Sequence, residues 1–268
     1  MTFDNQANID RFNGFADIYD QYRPQPPSMI TDILTQLLGN PMPSLVVDLG
    51  SGTGLSTRIW AGKAREVIGI EPNADMRRVA EEQTPAPSGI RYTYGFSTQT
   101  GLPDDSADII CCSQSFHWME PEATLAEAVR ILRPGGIFAT LDCDWPPVMH
   151  WQTELVYHRL MTRVGEMELQ HGIYNTVKKW PKDRHLANIQ SSGHFRYTNE
   201  LVLHHVEPGN ADRLIGLVLS QGGVEGLLKL GLSEDEIGLT EFRAVITNLL
   251  CTELRPWYFC YRVRLGVK

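Results

Sequence analysis

Short apolar runs alternate with stretches of helical periodicity over residues 45–141 of the 268-residue chain. Each run is too short for a helix and consists mostly of apolar, β-branched or aromatic residues, so each predicts a strand. The predicted strands are residues 45–47, 67–70, 90–95, 108–112 and a fifth run that opens at Ile137. Strands that alternate with helices are typical of a parallel sheet covered by helices. The pattern therefore predicts an α/β fold.

The first forty residues predict two helices. Aromatic and apolar residues recur at helical spacing up to Arg23, where prolines end the first helix. These residues are Phe12, Phe15, Ala16, Tyr19 and Tyr22. A second helix is predicted over 29–38, after Ser28 and before Gly39. The first helix is either a segment that packs its aromatic stripe on the domain or an arm that covers a binding site.

The chain after residue 145 predicts more helices and two more strands. Helical patterns cover 150–192 and 208–250, and strand-like patterns cover 195–206 and 257–267. The sum is a seven-stranded, mostly parallel sheet in a single domain, 1–268. Its parts are an N-terminal helical arm (1–40), a core (41–145) and a C-terminal part with inserted helices and the last two strands (146–268).

A glycine-rich loop and an acid at the tip of the next strand carry the main functional signal. The first strand runs into Asp48 and a loop with Gly50, Gly52 and Gly54, a helix is predicted over 55–61, and the second strand ends in Glu71. Such a loop lets a ligand lie against bare backbone. A carboxylate on the neighbouring strand commonly accepts hydrogen bonds from two ribose hydroxyls. The pair predicts an adenosine-containing cofactor, whereas glycines alone would also fit a tight turn.

The glycine spacing narrows the choice of cofactor. Dinucleotide-binding loops place a third glycine where this chain has Leu55, and no Lys-Ser or Lys-Thr pair closes a phosphate-binding P-loop. The observed Gly-x-Gly-x-Gly resembles the first motif of class I S-adenosylmethionine-dependent methyltransferases. The resemblance continues in order through Arg133-Pro134-Gly135-Gly136 and covers roughly residues 10 to 145.

The resemblance implies a Rossmann-like fold whose seventh strand runs antiparallel and whose inserted helices form a lid over the carboxyl ends of the strands. It also implies an N-terminal arm that closes over the cofactor, with Arg23 near its carboxylate. Ser97 and Thr98 replace the family's usual Ala-Glu pair. The cofactor-binding residues that it implies are Tyr19, Arg23, Asp48, Gly50, Ser51, Gly52, Gly54, Glu71, Pro72, Met76, Ser97, Thr98 and Ser113.

His117 is the candidate catalytic residue. The stretch Gln114–Trp118 resembles the Gln-x-x-His-Trp segment of trans-aconitate methyltransferase-like proteins. A histidine at this place could remove a proton from a phenol, hydroxyl or ammonium acceptor, whereas a carboxylate acceptor needs no base. The alternative is a structural histidine bonded to a loop carbonyl. Trp118 and Trp145 either wall the acceptor pocket or serve packing.

Composition excludes several classes of protein. The formal net charge of −8 argues against a nucleic-acid partner, and no apolar run reaches the ~20 residues that span a membrane. Five cysteines and an N-terminus without signal-peptide features predict a cytoplasmic protein. The neighbours His204 and His205 face opposite sides of a predicted strand, so no metal site is expected. We expect a monomer or a homodimer.

The sequence favours a small-molecule methyltransferase that methylates an oxygen or a carboxyl group. Two alternatives to this function stay open. One is an enzyme that uses the same scaffold with another ligand, such as carboxy-S-adenosylmethionine or a nicotinamide cofactor. Leu55 and the lack of extra arginines near the loop count against it. The other is a non-catalytic binding protein that retains the cofactor fold. The chain retains the three glycines of the loop and the two acids, Asp48 and Glu71, and this argues against a protein that has lost the activity.

Overall fold

A computed structural model describes residues 6–173 and 177–268. The parts of the predicted arm and of the predicted 150–192 insertion that fall on residues 1–5 and 174–176 lie outside the described residues.

Seven strands form one sheet in the order β3-β2-β1-β4-β5-β7-β6. The pairing of Val47 with Ile68 joins β1 and β2 in parallel, and only β7 runs antiparallel to both of its neighbours. The predicted seven-stranded, mostly parallel sheet is therefore confirmed, including the reversed last strand. The strands are β1 Leu45–Leu49, β2 Glu66–Ile70, β3 Ile90–Thr93, β4 Ala107–Ser113, β5 Leu132–Cys143, β6 Tyr197–Gly209 and β7 Arg255–Val267.

Helices cover the sheet and extend beyond it. Val46 and Val47 illustrate how alternate strand residues enter the hydrophobic clusters on the two faces of the sheet. A third cluster joins the later helices to the first half of β7 and to Cys143. The helices are α1 Gln6–Asp10, α2 Ala16–Tyr22, α3 Met29–Leu38, α4 Ala74–Gln83, α5 Pro121–Ile131, α6 Trp151–Gln170, α7 His185–Ser191, α8 Ala211–Leu219, α9 Gly222–Lys229, α10 Glu234–Ile237 and α11 Leu239–Leu250.

Two predicted helices are wrong in extent. The predicted helix at 55–61 is only a short 3₁₀ helix, Arg58–Trp60, because the preceding residues form turns in which Ser56 and Thr57 bond to Asp48. The predicted first helix of the arm, whose stripe runs from Phe12 to Tyr22, begins only at Ala16, since Gly14 adopts a left-handed conformation (φ 82°) between α1 and α2. Over the described ranges, we find no helix that is long and apolar enough to cross a membrane.

Candidate active site

A large cavity opens at the carboxyl ends of β1, β2, β4 and β5, where open α/β sheets bind ligands. Its empty volume, including the open space at its mouth, is about 1390 Å³. All predicted cofactor residues except Asp48 and Gly54 line it. Those that do are Tyr19, Arg23, Gly50, Ser51, Gly52, Glu71, Pro72, Met76, Ser97, Thr98 and Ser113.

Asp48 lies fully buried beneath the glycine loop. Its Oδ2 accepts hydrogen bonds from Ser56 Oγ and Thr57 Oγ1, each at 2.7 Å. Burial raises the pKa of Asp48 to about 6, although the two hydrogen bonds oppose the shift. Asp48 thus holds the turn that follows the loop, and its predicted contact with the cofactor stays a prediction.

The three glycines of the loop serve different purposes. At Gly50 (φ 66°) a Cβ atom would lie 2.7 Å from Cβ of Ser115, and at Gly54 (φ 85°) it would clash with the hydroxyl of Tyr92. At Gly52 (φ 55°) a Cβ atom would meet no described atom within 4 Å, and Gly52 lines the cavity. Gly50 and Gly54 permit packing, whereas Gly52 keeps open the space that a ligand needs.

Glu71 holds its carboxylate at the wall of the cavity. Oε2 accepts a hydrogen bond from the Gly52 amide at 2.9 Å, and Oε1 accepts one from the Asn73 amide at 2.8 Å. Each oxygen retains a second lone pair, so the carboxylate can still accept two hydroxyl donors. Burial raises the pKa of Glu71 to about 7 against the effect of these amide bonds and of Arg77. This geometry suits a ribose diol.

The loop after β3 and the start of α4 form the wall beyond Glu71. Met76 is buried there, and Ser97 and Thr98 face the same cavity. The Ser97 hydroxyl lies 2.9 Å from the hydroxyl of buried Thr124. The wall therefore combines an apolar surface with small hydroxyls, as the edge of a purine ring requires.

Arg23 connects the arm to the later helices. Its Nε and Nη2 donate to the side chain and carbonyl of Ser220 at 2.8 and 2.7 Å, and Nη2 also donates to Gln221 at 3.0 Å. Its guanidinium lies 4.9 Å from the ring centres of both Tyr19 and Trp145. Arg23 does line the cavity, but these bonds occupy Nε and Nη2 of its guanidinium group. The predicted pairing with the cofactor's carboxylate therefore stays a prediction.

Sequence reasoning missed several lining residues near the end of β5. Cys143 of β5 and Tyr261 of β7 are partners in the antiparallel pairing of these strands, and both line the cavity. Lys178 and Trp180 line it from the segment before α7. For Cys143 and Tyr261, the only signal in the sequence was that β5 and β7 were predicted strands. Trp118 and Trp145, whose role the sequence left open, both line the cavity.

His117 is buried and lies behind the cavity wall. It is absent from the described lining residues, whereas its neighbour Trp118 is present. The His117 carbonyl accepts a hydrogen bond from the Trp180 amide at 2.8 Å, and its Nδ1 has no partner among the described residues. Burial, then the charges of Lys182 and Lys179, hold the pKa of His117 well below its ordinary value. The described cavity lining does not include His117, and its role as a catalytic base stays a prediction.

The sheet order, the glycine loop and the acid at the tip of β2 define the class I S-adenosylmethionine-dependent methyltransferase fold. Residues 47–140 match the methyltransferase domain family, and the fold is that of the class I methyltransferases.

Known proteins share this fold and part of this sequence. The chain is similar to an uncharacterised methyltransferase of Schizosaccharomyces pombe (32% identity, 46% of this chain, 48% of the relative). A malonyl-[acyl-carrier protein] O-methyltransferase of Serratia marcescens is 32% identical over 52% of this chain and 54% of its own. The chain thus spans about half the length of these relatives. A structure assigned as a type II methyltransferase from Anaeromyxobacter dehalogenans shares the fold (TM-score 0.63, 21% identity, 92% and 98% coverage).

The cofactor of this class is S-adenosylmethionine, and the residues of the cavity fit it. Gly52 leaves space beside the loop, and Glu71 offers two lone pairs toward that space. The Ser51 hydroxyl is buried and has no hydrogen-bond partner in the described chain. A polar ligand would satisfy it, since a buried unpaired hydroxyl is costly.

Proposed function

We propose that this protein transfers the methyl group of S-adenosylmethionine to a small-molecule acceptor and that the acceptor atom is a carboxylate oxygen. The observation that carries the first part is Glu71, whose buried carboxylate is fixed against Gly52 at the cavity wall. The relative named as a malonyl-[acyl-carrier protein] O-methyltransferase supports oxygen as the acceptor atom.

The titratable residues of the cavity support a carboxylate. Those that the described part of the wall contains are Tyr19, Arg23, Glu71, Glu120, Cys143, Lys178 and Tyr261. Burial raises the pKa of Cys143 to about 12 and that of Tyr261 well above its ordinary value, so neither is a base at neutral pH. Glu120 caps α5 through the amides of Glu122 and Ala123. A carboxylate acceptor suits this wall because it is already ionised.

The protein's contribution is to position the reactants and to exclude water. When bound, S-adenosylmethionine supplies an electrophilic methyl group on a positive sulfur. Glu71 and the glycine loop fix the nucleoside end, and the arm covers the cavity through Phe12, Tyr19 and Arg23. The acceptor's carboxylate oxygen would bond to the methyl carbon as the bond from that carbon to sulfur broke, which would neutralise the charges of the carboxylate and of the sulfur. A partly apolar cavity favours this loss of charge.

Transfer of a tritiated methyl group tests this function. The protein is incubated with labelled S-adenosylmethionine and the small-molecule fraction of a cell extract enriched with common carboxylic acids. Methyl esters release volatile methanol in alkali, whereas methyl ethers and methylamines do not. We expect labelled methanol that is volatile after alkali and re-acidification, a step that retains small methylamines as involatile ammonium ions. Stable label would show another acceptor atom, and no transfer beyond the protein-free control would contradict the proposed function.

His117→Asn should lower stability and leave the chemistry largely intact. The histidine is buried beside Trp118 and His185, so replacement should cost about 1–3 kcal/mol of unfolding free energy. A general base would instead contribute about 10²–10⁴-fold to turnover. Turnover measured well below the melting temperature should change by less than about tenfold. A hundredfold loss with unchanged stability and cofactor affinity would establish His117 as the base.

A further inference from the structure

Gln114 lines the cavity at the end of β4, two strands away from Glu71. In the proposed cofactor site Glu71 holds the ribose at β2, and β1 and β4 follow β2 in the sheet. A cofactor held there would present its methyl group toward the ends of β4 and β5. Gln114 directly follows β4, lines the cavity and has a positive φ of 52°. Such backbone strain in a residue other than glycine occurs often at functional sites.

Lys182 fixes which end of the Gln114 amide is available. The Lys182 ammonium donates to Gln114 Oε1 at 2.6 Å and lies 3.3 Å from Oδ1 of Asp142, at the end of β5. An ammonium has donors only, so the oxygen of the amide must face it. Only the donor end of the amide, Nε2, is left for another partner. That atom is buried and has no partner within the described chain.

Asp142 in turn is held in place from two sides. His185 Nδ1 and Arg264 Nη1 lie 2.9 and 3.1 Å from its Oδ2. Burial acts to raise the pKa of Asp142, but His185, Lys182 and Arg264 outweigh it and keep the pKa below its ordinary value. The carboxylate therefore stays ionised at neutral pH and anchors Lys182. The order of contacts runs from Asp142 through Lys182 to Gln114.

The surroundings of Gln114 favour a negative partner. Arg23 and Lys178 line the same cavity, and the Lys179 ammonium lies 5.5 Å from the ring centre of Trp118. The described partners of Arg23 are neutral groups and rings. The acids among the described lining residues are Glu71, which is held by two amides at the ribose end, and Glu120, which is engaged at the start of α5. The basic side chains Arg23 and Lys178, together with Lys182 beside Gln114, therefore favour an anionic partner.

We propose that Gln114 is the residue that recognises the acceptor, donating a hydrogen bond from Nε2 to an anionic oxygen of the acceptor, and that Lys182 is the positioning residue that orients it. This proposal rests on the proposed methyl transfer and adds the residue that selects the acceptor. The acceptor class is a small carboxylate.

The test compares Gln114→Leu, Gln114→Glu, Lys182→Met and Lys182→Arg with the wild type. Transfer of tritiated methyl groups is measured at low concentration of the same acid-enriched extract, where the rate reports kcat/KM. Titration with S-adenosylhomocysteine measures cofactor affinity in parallel. Lys63→Met is the matched control, since the ion pair of Lys63 with Asp32 is exposed and far from β4 in sequence.

Gln114→Leu should lower kcat/KM about ten- to hundredfold, because the acceptor's charged oxygen loses its donor. Gln114→Glu should lower it further, although Lys182 can pair with the new carboxylate, because that carboxylate repels an anion. Lys182→Met should cost about tenfold, and Lys182→Arg should recover most of this because arginine still donates to Oε1. Cofactor affinity should stay within about twofold in every variant, and Lys63→Met should match the wild type.

Each other result decides against the proposal. A higher rate in Gln114→Glu would identify a cationic acceptor, and an unchanged rate in Gln114→Leu would remove Gln114 from recognition. A parallel loss of cofactor affinity would make these side chains structural, with the methyl transfer itself still standing. Absence of transfer in the wild type would overturn the proposed function and this inference with it.

Discussion

Gly52→Val should abolish measurable binding of S-adenosylhomocysteine while the protein stays folded. The space around a Cβ atom at Gly52 is open within 4 Å, so the valine side chain would occupy the cavity rather than clash with the protein. The left-handed conformation costs a branched residue about 1–2 kcal/mol, or roughly 2–8 °C in Tm. We expect the dissociation constant to rise more than about hundredfold in a calorimetric titration.

Gly62→Val is the matched control for Gly52→Val. Gly62 also has a positive φ of 70° and open space around its Cβ position, but it is exposed and does not line the cavity. It should show the same loss of stability and unchanged cofactor affinity. If Gly52→Val bound S-adenosylhomocysteine as tightly as Gly62→Val does, the assignment of the glycine loop would be wrong.

Glu71→Gln should weaken cofactor binding about ten- to hundredfold. The substitution replaces an acceptor oxygen with a donor and removes a charge-assisted hydrogen bond, worth about 1.5–3 kcal/mol. The wild type should also bind more weakly as the pH falls through about 7, because burial raises the pKa of Glu71 to about 7 and the diol needs the ionised form. At pH 6 the affinity should be about tenfold below its limit at high pH.

The same titrations in Glu71→Gln should show little dependence on pH between 6 and 8, since the titrating carboxyl is gone. Comparison of the two pH profiles separates Glu71 from Asp48, whose pKa burial raises to about 6. If Glu71→Gln kept the wild-type dependence of cofactor affinity on pH, the titration would belong to another group. A variant with wild-type affinity would remove Glu71 from the cofactor site.

The sequence predicted the fold well because each strand of the core is a short, apolar run with a clear end. Residues 45–47 and 67–70 lie inside β1 and β2 as predicted, and Glu71 follows directly. Patterns were less informative where local hydrogen bonds compete with a helix. Ser56 and Thr57 bond to buried Asp48, and this replaces the predicted helix by turns.

The acceptor end of the cavity was beyond prediction because distant segments build it. Tyr261 meets Cys143 only through the antiparallel pairing of β7 with β5, and Lys178 and Trp180 come from a segment of no clear periodicity. His117 shows a second limit. It is in a 3₁₀ helix with Trp118, and side chains of consecutive residues there point about 120° apart. One of the two lines the cavity and the other is buried.

In the proposed cofactor site, the cavity at β1 and β2 holds the nucleoside of S-adenosylmethionine through Glu71. A crystal structure of the protein with S-adenosylhomocysteine tests it most directly. We predict both ribose hydroxyls within hydrogen-bonding distance of the Glu71 carboxylate, the ligand beside Gly52, and the sulfur turned toward the end of β4. A nucleoside bound elsewhere, or a ribose that does not contact Glu71, would contradict the account.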